Sequence, residues 1–373
     1  MARVAGLIAR AWSGTGWFTK WAAESKLPQS MAASPRVERA ALIGIQLAIA
    51  LMGFGTAWDI HWHATVGRDS PWIPPHLAVY AGTALAAAVS SVMVLGTRGR
   101  TRQFWHDPYA VVWTGSYVLL VAAVVDAIWH QLIGDRTLWS PPHALGVAGA
   151  VIVSFGNVIG WRRARSRGFF APQVCRSVEI LLLAGYLVAA YFGLRAPVIL
   201  AFRPDFPGPP LLSATSPYVA AALASLTIPA VVLWGREMVS RRGVDLAAIV
   251  AVGVWVVQEL LHRVLTPWAA AQHGTVMVLS RAPDARFGLL TLASVLVPAL
   301  VVHHTPLRGP VILGVTMAGL YVGGVAVWLA VIGQPASVSP AVVAVIGALG
   351  ALSAWTGAAC AKWLGRASSV EMS

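Results

Sequence analysis

Residues of metal-binding type recur at fixed spacing in this otherwise apolar chain. Residues 58–82 read WDIHWHATVGRDSPWIPPHLAVYAG. Asp59 and His63 are four residues apart, so on a helix they share one face. A Pro-Pro pair then favours the start of a second helix, with His76 in its first turn. If the two helices form a hairpin, His76 returns to the height of His63. Two imidazoles and one carboxylate at one point form a ligand set for copper, zinc or iron.

A second stretch repeats this pattern without a gap, 67 residues further along the chain. It reads VDAIWHQLIGDRTLWSPPHALGVAG, and it contains Asp126, His130 and His143 at the same spacing. An isolated Asp-x3-His pair near a helix end is more often solvated at the membrane interface. Recurrence of all three ligand types favours metal binding instead, because ionisable residues within a bilayer are costly and usually functional. The sequence therefore predicts two Asp/His/His sites at the same depth.

The composition of the chain predicts an integral membrane protein. Of its 373 residues, 57% are hydrophobic and 11% are charged, whereas soluble domains have about 25% charged residues. Apolar runs near the length needed to cross about 30 Å of hydrocarbon recur throughout. The predicted fold class is all-α, a polytopic membrane helical bundle of about ten transmembrane helices with a parallel two-helix repeat. The net charge of +13 does not indicate nucleic-acid binding, because the basic residues lie in short loops between apolar runs.

The chain divides into four predicted segments. Residues 1–36 form a cytoplasmic basic tail, amphipathic or disordered, and 366–373 form a cytoplasmic C-terminal tail. Residues 37–165 form the duplicated metal-site domain, with repeats at 39–98 and 109–165, and 166–365 contain the additional transmembrane helices. The predicted spans are 39–63, 75–96, 109–133, 141–161, 175–195, 217–238, 244–264, 287–304, 310–332 and 340–364.

Arginine placement predicts the orientation of these spans. Arginines are concentrated in the loops after the second, fourth, sixth and eighth spans and in the two tails. Positively charged loops stay on the cytoplasmic side. Both termini are therefore expected in the cytoplasm of a bacterial inner or plasma membrane, with the two motifs toward the outer side. His303 and His304 end a span on the cytoplasmic side and are excluded from the predicted sites.

The first motif also resembles a known family. Residues 59–80, DIHWHATVGRDSPWIPPHLAVY, are similar to the metal-binding segment in the C subunit of the particulate methane and ammonia monooxygenases, which are copper membrane enzymes. The resemblance covers residues 58–147. It implies copper at Asp59, His63 and His76. It also implies a second site, Asn/His/His in the family, at the positions of the second motif, where Asp126 replaces the asparagine and changes the charge of the site.

Six further residues are candidates for orienting the ligands, since a carboxylate often holds the free N–H of a ligating histidine. They lie beside the two motifs or on the seventh span: Arg68, Asp69, Asp135, Arg136, Glu259 and His262. For the two Arg/Asp pairs, a local ion pair within the loop is an equally good interpretation.

Three functions are compatible with these features. The first is a copper-binding subunit of a monooxygenase-type oxidoreductase that activates O2 on a small hydrophobic substrate, with A- and B-type subunits or a second copy of the chain as partners. The second is a non-catalytic copper-binding or metal-handling membrane protein. The third is a transporter in which the Asp/His residues relay protons, because parallel repeats occur in transporters.

Overall fold

The computed structural model describes residues 34–66, 71–96, 107–132, 140–201, 210–272, 296–297, 299–305, 309–331 and 339–370. Within these ranges every regular element is a helix. Nine helices have defined bounds: α1 (Pro35–Thr65), α2 (Pro74–Gly96), α3 (Pro108–Leu132), α4 (Pro141–Ser166), α5 (Pro172–Ala201), α6 (Pro210–Met238), α7 (Arg241–Gln272), α8 (Pro310–Val331) and α9 (Pro340–Val370). Eight of the nine begin at proline, whose missing N–H costs nothing at a helix start and whose fixed φ suits the first turn.

The predicted all-α membrane architecture is confirmed. Eight of the helices in the described ranges, all except α6, contain a segment long and apolar enough to cross a membrane. All nine coincide with predicted spans, although several extend further than the apolar core alone indicated. Most of the predicted span 287–304 lies outside the described residues, and 299–304 within it are helical. The total of about ten spans stays a prediction, and so does the conformation of residues 1–33.

The first two helices form a hairpin that glycines allow to close tightly. A Cβ atom added to Gly55 would lie 2.8 Å from the backbone nitrogen of Val79. One added to Gly82 would lie 2.7 Å from the carbonyl oxygen of Ala48 and 2.9 Å from the backbone nitrogen of Met52. Because a side chain would occupy that space, glycine at these positions lets the backbones of α1 and α2 approach each other.

Helices α3 and α4 form a second hairpin with corresponding contacts. A Cβ atom on Gly149 would lie 3.0 Å from the carbonyl oxygen of Gly115 and 3.0 Å from the backbone nitrogen of Leu119. These three positions follow Gly82, Ala48 and Met52 by 67 residues, the offset that separates the two sequence motifs. Helix α2 also packs on α3, and α1 packs on α4, so the two hairpins lie side by side.

The ends of this four-helix unit differ in chemistry. The end that contains Asp59 and His76 is called the motif end. At the opposite end, called the arginine end, Arg167 after α4 pairs with Glu38 at the start of α1, with a nitrogen–oxygen distance of 3.5 Å. Arg165 on α4 lies 3.4 Å from the carboxylate of Glu179 on α5. These contacts join the arginine ends of three helices.

Helix α7 connects the first hairpin to the remaining helices. It packs against α1 and α5. Near the C-terminal end of α7, the hydroxyl of Thr266 accepts a hydrogen bond of 3.0 Å from the indole nitrogen of Trp58 on α1. Ala269 and Ala270 pack in the same apolar cluster as Trp58 and Trp62. The C-terminal part of α7 therefore lies at the motif end, against the face of α1 that carries the two tryptophans.

Candidate metal centre

Asp59, His63 and His76 come together at the motif end, as the spacing predicts. Asp59 and His63 lie on the last two turns of α1, and His76 is the third residue of α2. The Nε2 atom of His76 is 3.0 Å from Oδ1 of Asp59, and Nε2 of His63 is 3.6 Å from the same oxygen. Gly55 lies one helical turn before Asp59, so the close approach of the two helices occurs beside this face.

The geometry of these three groups suits a metal ion. Two ligand atoms bound to one ion at about 2.0–2.2 Å can be at most about 4.4 Å apart. The two distances to Asp59 satisfy this limit, and one ligand atom from each residue lies within 4.8 Å of the others. Two imidazole nitrogens and one carboxylate oxygen are donors that copper, zinc and iron accept.

The electrostatics of the site also favour a cation. The Asp59 side chain is only 16% exposed, and a carboxylate removed from water is costly unless an opposite charge compensates it. The basic groups beside it are imidazoles, with Nε2 of His76 at 3.0 Å and Nε2 of His63 at 3.6 Å from its Oδ1 atom. A metal ion bound between neutral imidazoles would supply the compensating charge without protonating them.

The second motif is brought together in part. Nε2 of His143 on α4 lies 3.5 Å from Oδ1 of Asp126 on α3. His130 is on α3, four residues after Asp126, but its side chain lies outside the described set. His143 lies at the start of α4, at the opposite end from Arg165, so Asp126 and His143 lie at the motif end of the bundle.

Ser140 contacts His143 of the second ligand set, and it was not predicted from the sequence. Its hydroxyl oxygen is 2.9 Å from Nδ1 of His143 and also accepts a hydrogen bond from the backbone N–H of the same residue. A ring whose Nδ1–H is held by an oxygen presents the lone pair of Nε2 for binding. The signal in the sequence was a serine directly before the Pro-Pro pair, a preferred helix N-cap. The corresponding residue of the first motif is Ile73.

Glu259 and His262, predicted as supporting residues, lie on α7. Both are buried, and the ring of His262 packs against Phe54 and His61, with centroid distances of 5.6 and 5.4 Å. His61 is two residues from both Asp59 and His63, so it occupies a different face of α1. The structure therefore places His262 behind the candidate centre, across α1 from His76.

The loop candidates fall outside the described part of the chain. These are Arg68 and Asp69 beside the first motif, and Asp135 and Arg136 beside the second, and their supporting role stays a prediction. His303 and His304 lie at the arginine end, away from Asp59.

Comparison with known proteins does not add an identification. No protein-family model, curated protein or solved structure matches this chain significantly.

Proposed function

We propose that this protein is the membrane-embedded, copper-binding subunit of a monooxygenase-type oxidoreductase. The observation that carries the proposal is the convergence of Asp59, His63 and His76, from two helices, with one ligand atom of each within 4.8 Å of the others. Polar groups placed together within an apolar bundle are costly, so their convergence favours a function in ligand binding.

The donor set and the family resemblance together favour copper. Imidazole suits copper, zinc and iron, and divalent copper binds nitrogen and oxygen donors most tightly among first-row divalent ions. The resemblance of residues 58–147 to the monooxygenase C subunit specifies copper among these. When bound, copper supplies the one-electron chemistry that O2 activation requires. Zinc and iron accept the same ligand types, so metal analysis is the deciding measurement.

The protein's own residues prepare the site. Oδ1 of Asp59 lies 3.6 Å from Nε2 of His63 and 3.0 Å from Nε2 of His76, so the three donor atoms are already grouped before an ion binds. A small hydrophobic substrate would reach the motif end from the bilayer, where apolar side chains such as Leu77 and Ile128 are exposed. Catalysis would require partners with the remaining machinery, either A- and B-type subunits or a second copy of the chain.

We further infer that the two hairpins are copies of one unit. The glycine crossings at Gly82 and Gly149 involve residues at the same 67-residue offset as the ligands. Asp126, His130 and His143 would then hold a second metal, with one negative charge more than the family's asparagine site. Arginine placement supports an inner or plasma membrane location, with the motif end toward the outer side.

Copper analysis of purified full-length protein tests the proposal. We expect bound copper in the wild-type protein and its loss at the first centre in Asp59→Asn and His63→Ala. His61→Phe is the matched control, because it lies on the same turn of α1, faces α7 and keeps an aromatic ring against His262. The proposal fails if copper content and affinity are equal in His63→Ala, His61→Phe and the wild-type protein.

Assays in membranes distinguish the three functions. Copper- and O2-dependent turnover of a small hydrophobic substrate, lost in His63→Ala, would support the oxidoreductase. Copper binding without O2 consumption, combined with altered cellular copper content in a deletion strain, would indicate a metal-handling protein. Substrate flux that depends on a pH gradient, in protein free of metal, would indicate the transporter.

A further inference from the structure

Three groups of metal-binding type also meet at the arginine end of the bundle. Asp245 lies on the first turns of α7, and His303 and His304 end the helical segment at 299–304. These three residues are called the Asp245 cluster. Nε2 of His304 is 2.9 Å from Oδ1 of Asp245, and Nε2 of His303 is 3.7 Å from the same oxygen. One ligand atom from each residue lies within 4.8 Å of the others.

The cluster is separate from the candidate centre at the motif end. Asp245 lies 21 residues before Thr266 on α7, which is about 30 Å along the helix axis at about 1.5 Å per residue. Thr266 bonds to Trp58, the neighbour of Asp59. At the other end of α7, the hydroxyl of Ser240 accepts a hydrogen bond from Arg176 on α5. One ion therefore cannot serve both groups.

Helix electrostatics alone do not account for the cluster. An aspartate near a helix start and a histidine near a helix end are each favourable with the helix dipole. A single Asp245–His304 hydrogen bond would satisfy both preferences. His303, however, is fully buried, and its Nε2 atom also faces Oδ1 of Asp245 at a distance longer than a hydrogen bond. Two imidazole nitrogens near one carboxylate oxygen give three atoms that could bind the same metal ion.

We propose that the Asp245 cluster is a further metal site, apart from those at the motif end, and that it takes a divalent first-row transition ion such as zinc. Two imidazoles and one carboxylate are the protein ligands of several open zinc sites, in which the fourth position is left to water. His303 is buried, whereas His304 is 63% exposed, so one side of the site is open and the ion can exchange. A bound ion would join the start of α7 to the end of the 299–304 helix. This proposal does not depend on the proposed function of the motif end.

The test uses Zn²⁺ and the full-length protein in detergent micelles. The parent is the double variant His63→Ala/His143→Ala, which lacks one ligand at each predicted site of the motif end. Zinc affinity is measured by competition with a chromophoric chelator, and stoichiometry is measured by elemental analysis. We expect the parent to retain one zinc ion. Adding Asp245→Asn or His304→Ala should weaken binding at least a hundredfold, whereas His304→Cys should restore it because thiolate is a zinc ligand.

Thermal unfolding gives a second readout of zinc binding and also shows whether each variant is folded. Asp245 and His304 are partly or largely exposed, so their variants are not expected to unfold the protein, and the melting temperature without metal checks this. Zinc should raise the melting temperature of the parent but not that of its Asp245→Asn derivative, because only an ion bound to the folded state stabilises it. The proposal is overturned if the parent binds no zinc, or if Asp245→Asn and His304→Ala leave zinc affinity unchanged.

Discussion

Replacing Gly55 with alanine should push α1 and α2 apart and so move the ligands of the candidate metal centre, although Gly55 is not itself a ligand. Gly55 is one turn before Asp59, at a close approach of α1 to α2. The added Cβ atom would lie 2.8 Å from the backbone nitrogen of Val79 and 3.0 Å from Cβ of Ala78. Backbone atoms cannot rotate away. The helices must therefore separate by about 0.6 Å, so that the distance from the added Cβ atom to the Val79 nitrogen rises from 2.8 Å to the ordinary contact distance of 3.4 Å.

This separation acts directly on the ligands, because His76 lies three residues before Val79 on α2. Moving α2 lengthens the distance from Asp59 to His76, which is 3.0 Å in the native hairpin. Misoriented ligands typically weaken metal binding about 10- to 100-fold. Overpacking should also destabilise the fold by about 1–3 kcal/mol.

Gly53 provides the matched control on the same helix. A Cβ atom added to Gly53 meets nothing within 4 Å. Both substitutions gain the same helix propensity, about 0.5–1 kcal/mol, so the difference between them isolates the packing effect. Copper affinity is measured by competition with a chromophoric copper chelator, and stability is measured by thermal unfolding in detergent. Equal copper affinity and equal melting temperature in Gly55→Ala and Gly53→Ala would refute the close-approach argument.

Three other outcomes are expected. Ser140→Ala should lower the free energy of unfolding by about 0.5–2 kcal/mol through loss of the N-cap. It should also weaken metal binding at the second motif about tenfold or more, as measured by copper titration. An unchanged titration would show that the hydroxyl does not orient His143. Thr266→Val should lower the free energy of unfolding by about 1–3 kcal/mol, because it leaves the buried indole N–H of Trp58 without its acceptor. Adding Trp58→Phe should recover part of that loss in a double-mutant unfolding cycle. Strictly additive effects of the two substitutions would contradict the hydrogen bond. Acidification should release copper from the motif end, because protonated imidazoles cannot bind metal. Equilibrium dialysis measures this release, and copper retention that is independent of pH would count against histidine ligands.

The local features of the candidate site could be predicted from the sequence because they depend on short-range geometry. Four-residue spacing puts Asp59 and His63 on one helix face whatever the rest of the fold does. The Pro-Pro pair fixes a helix start, so His76 follows in its first turn. Apolar length fixes membrane-crossing helices, because backbone groups in hydrocarbon must bond within the segment. Helix ends were less well predicted, since α1 and α7 continue past their apolar cores.

Contacts between distant helices could not be predicted in the same way. Periodicity assigns a residue to a face of its helix, but it does not say which neighbour that face meets. His262 was expected to support the metal site; packing places it against His61, on another face of α1 from the ligands, and its supporting role stays a prediction. His303 and His304 had no visible partner in the sequence, because Asp245 is 58 residues away from His303 and on another helix.

The sequence by itself therefore determined the helices, the membrane class and the spacing of the ligands, since each depends on residues close together in the chain. Only the tertiary structure decided how near the ligands lie. That distance depends on Gly55 and Gly82, which let two backbones approach until Asp59 and His76 are 3.0 Å apart. The Asp245 cluster likewise exists only because the start of α7 lies beside the end of the 299–304 helix at the arginine end.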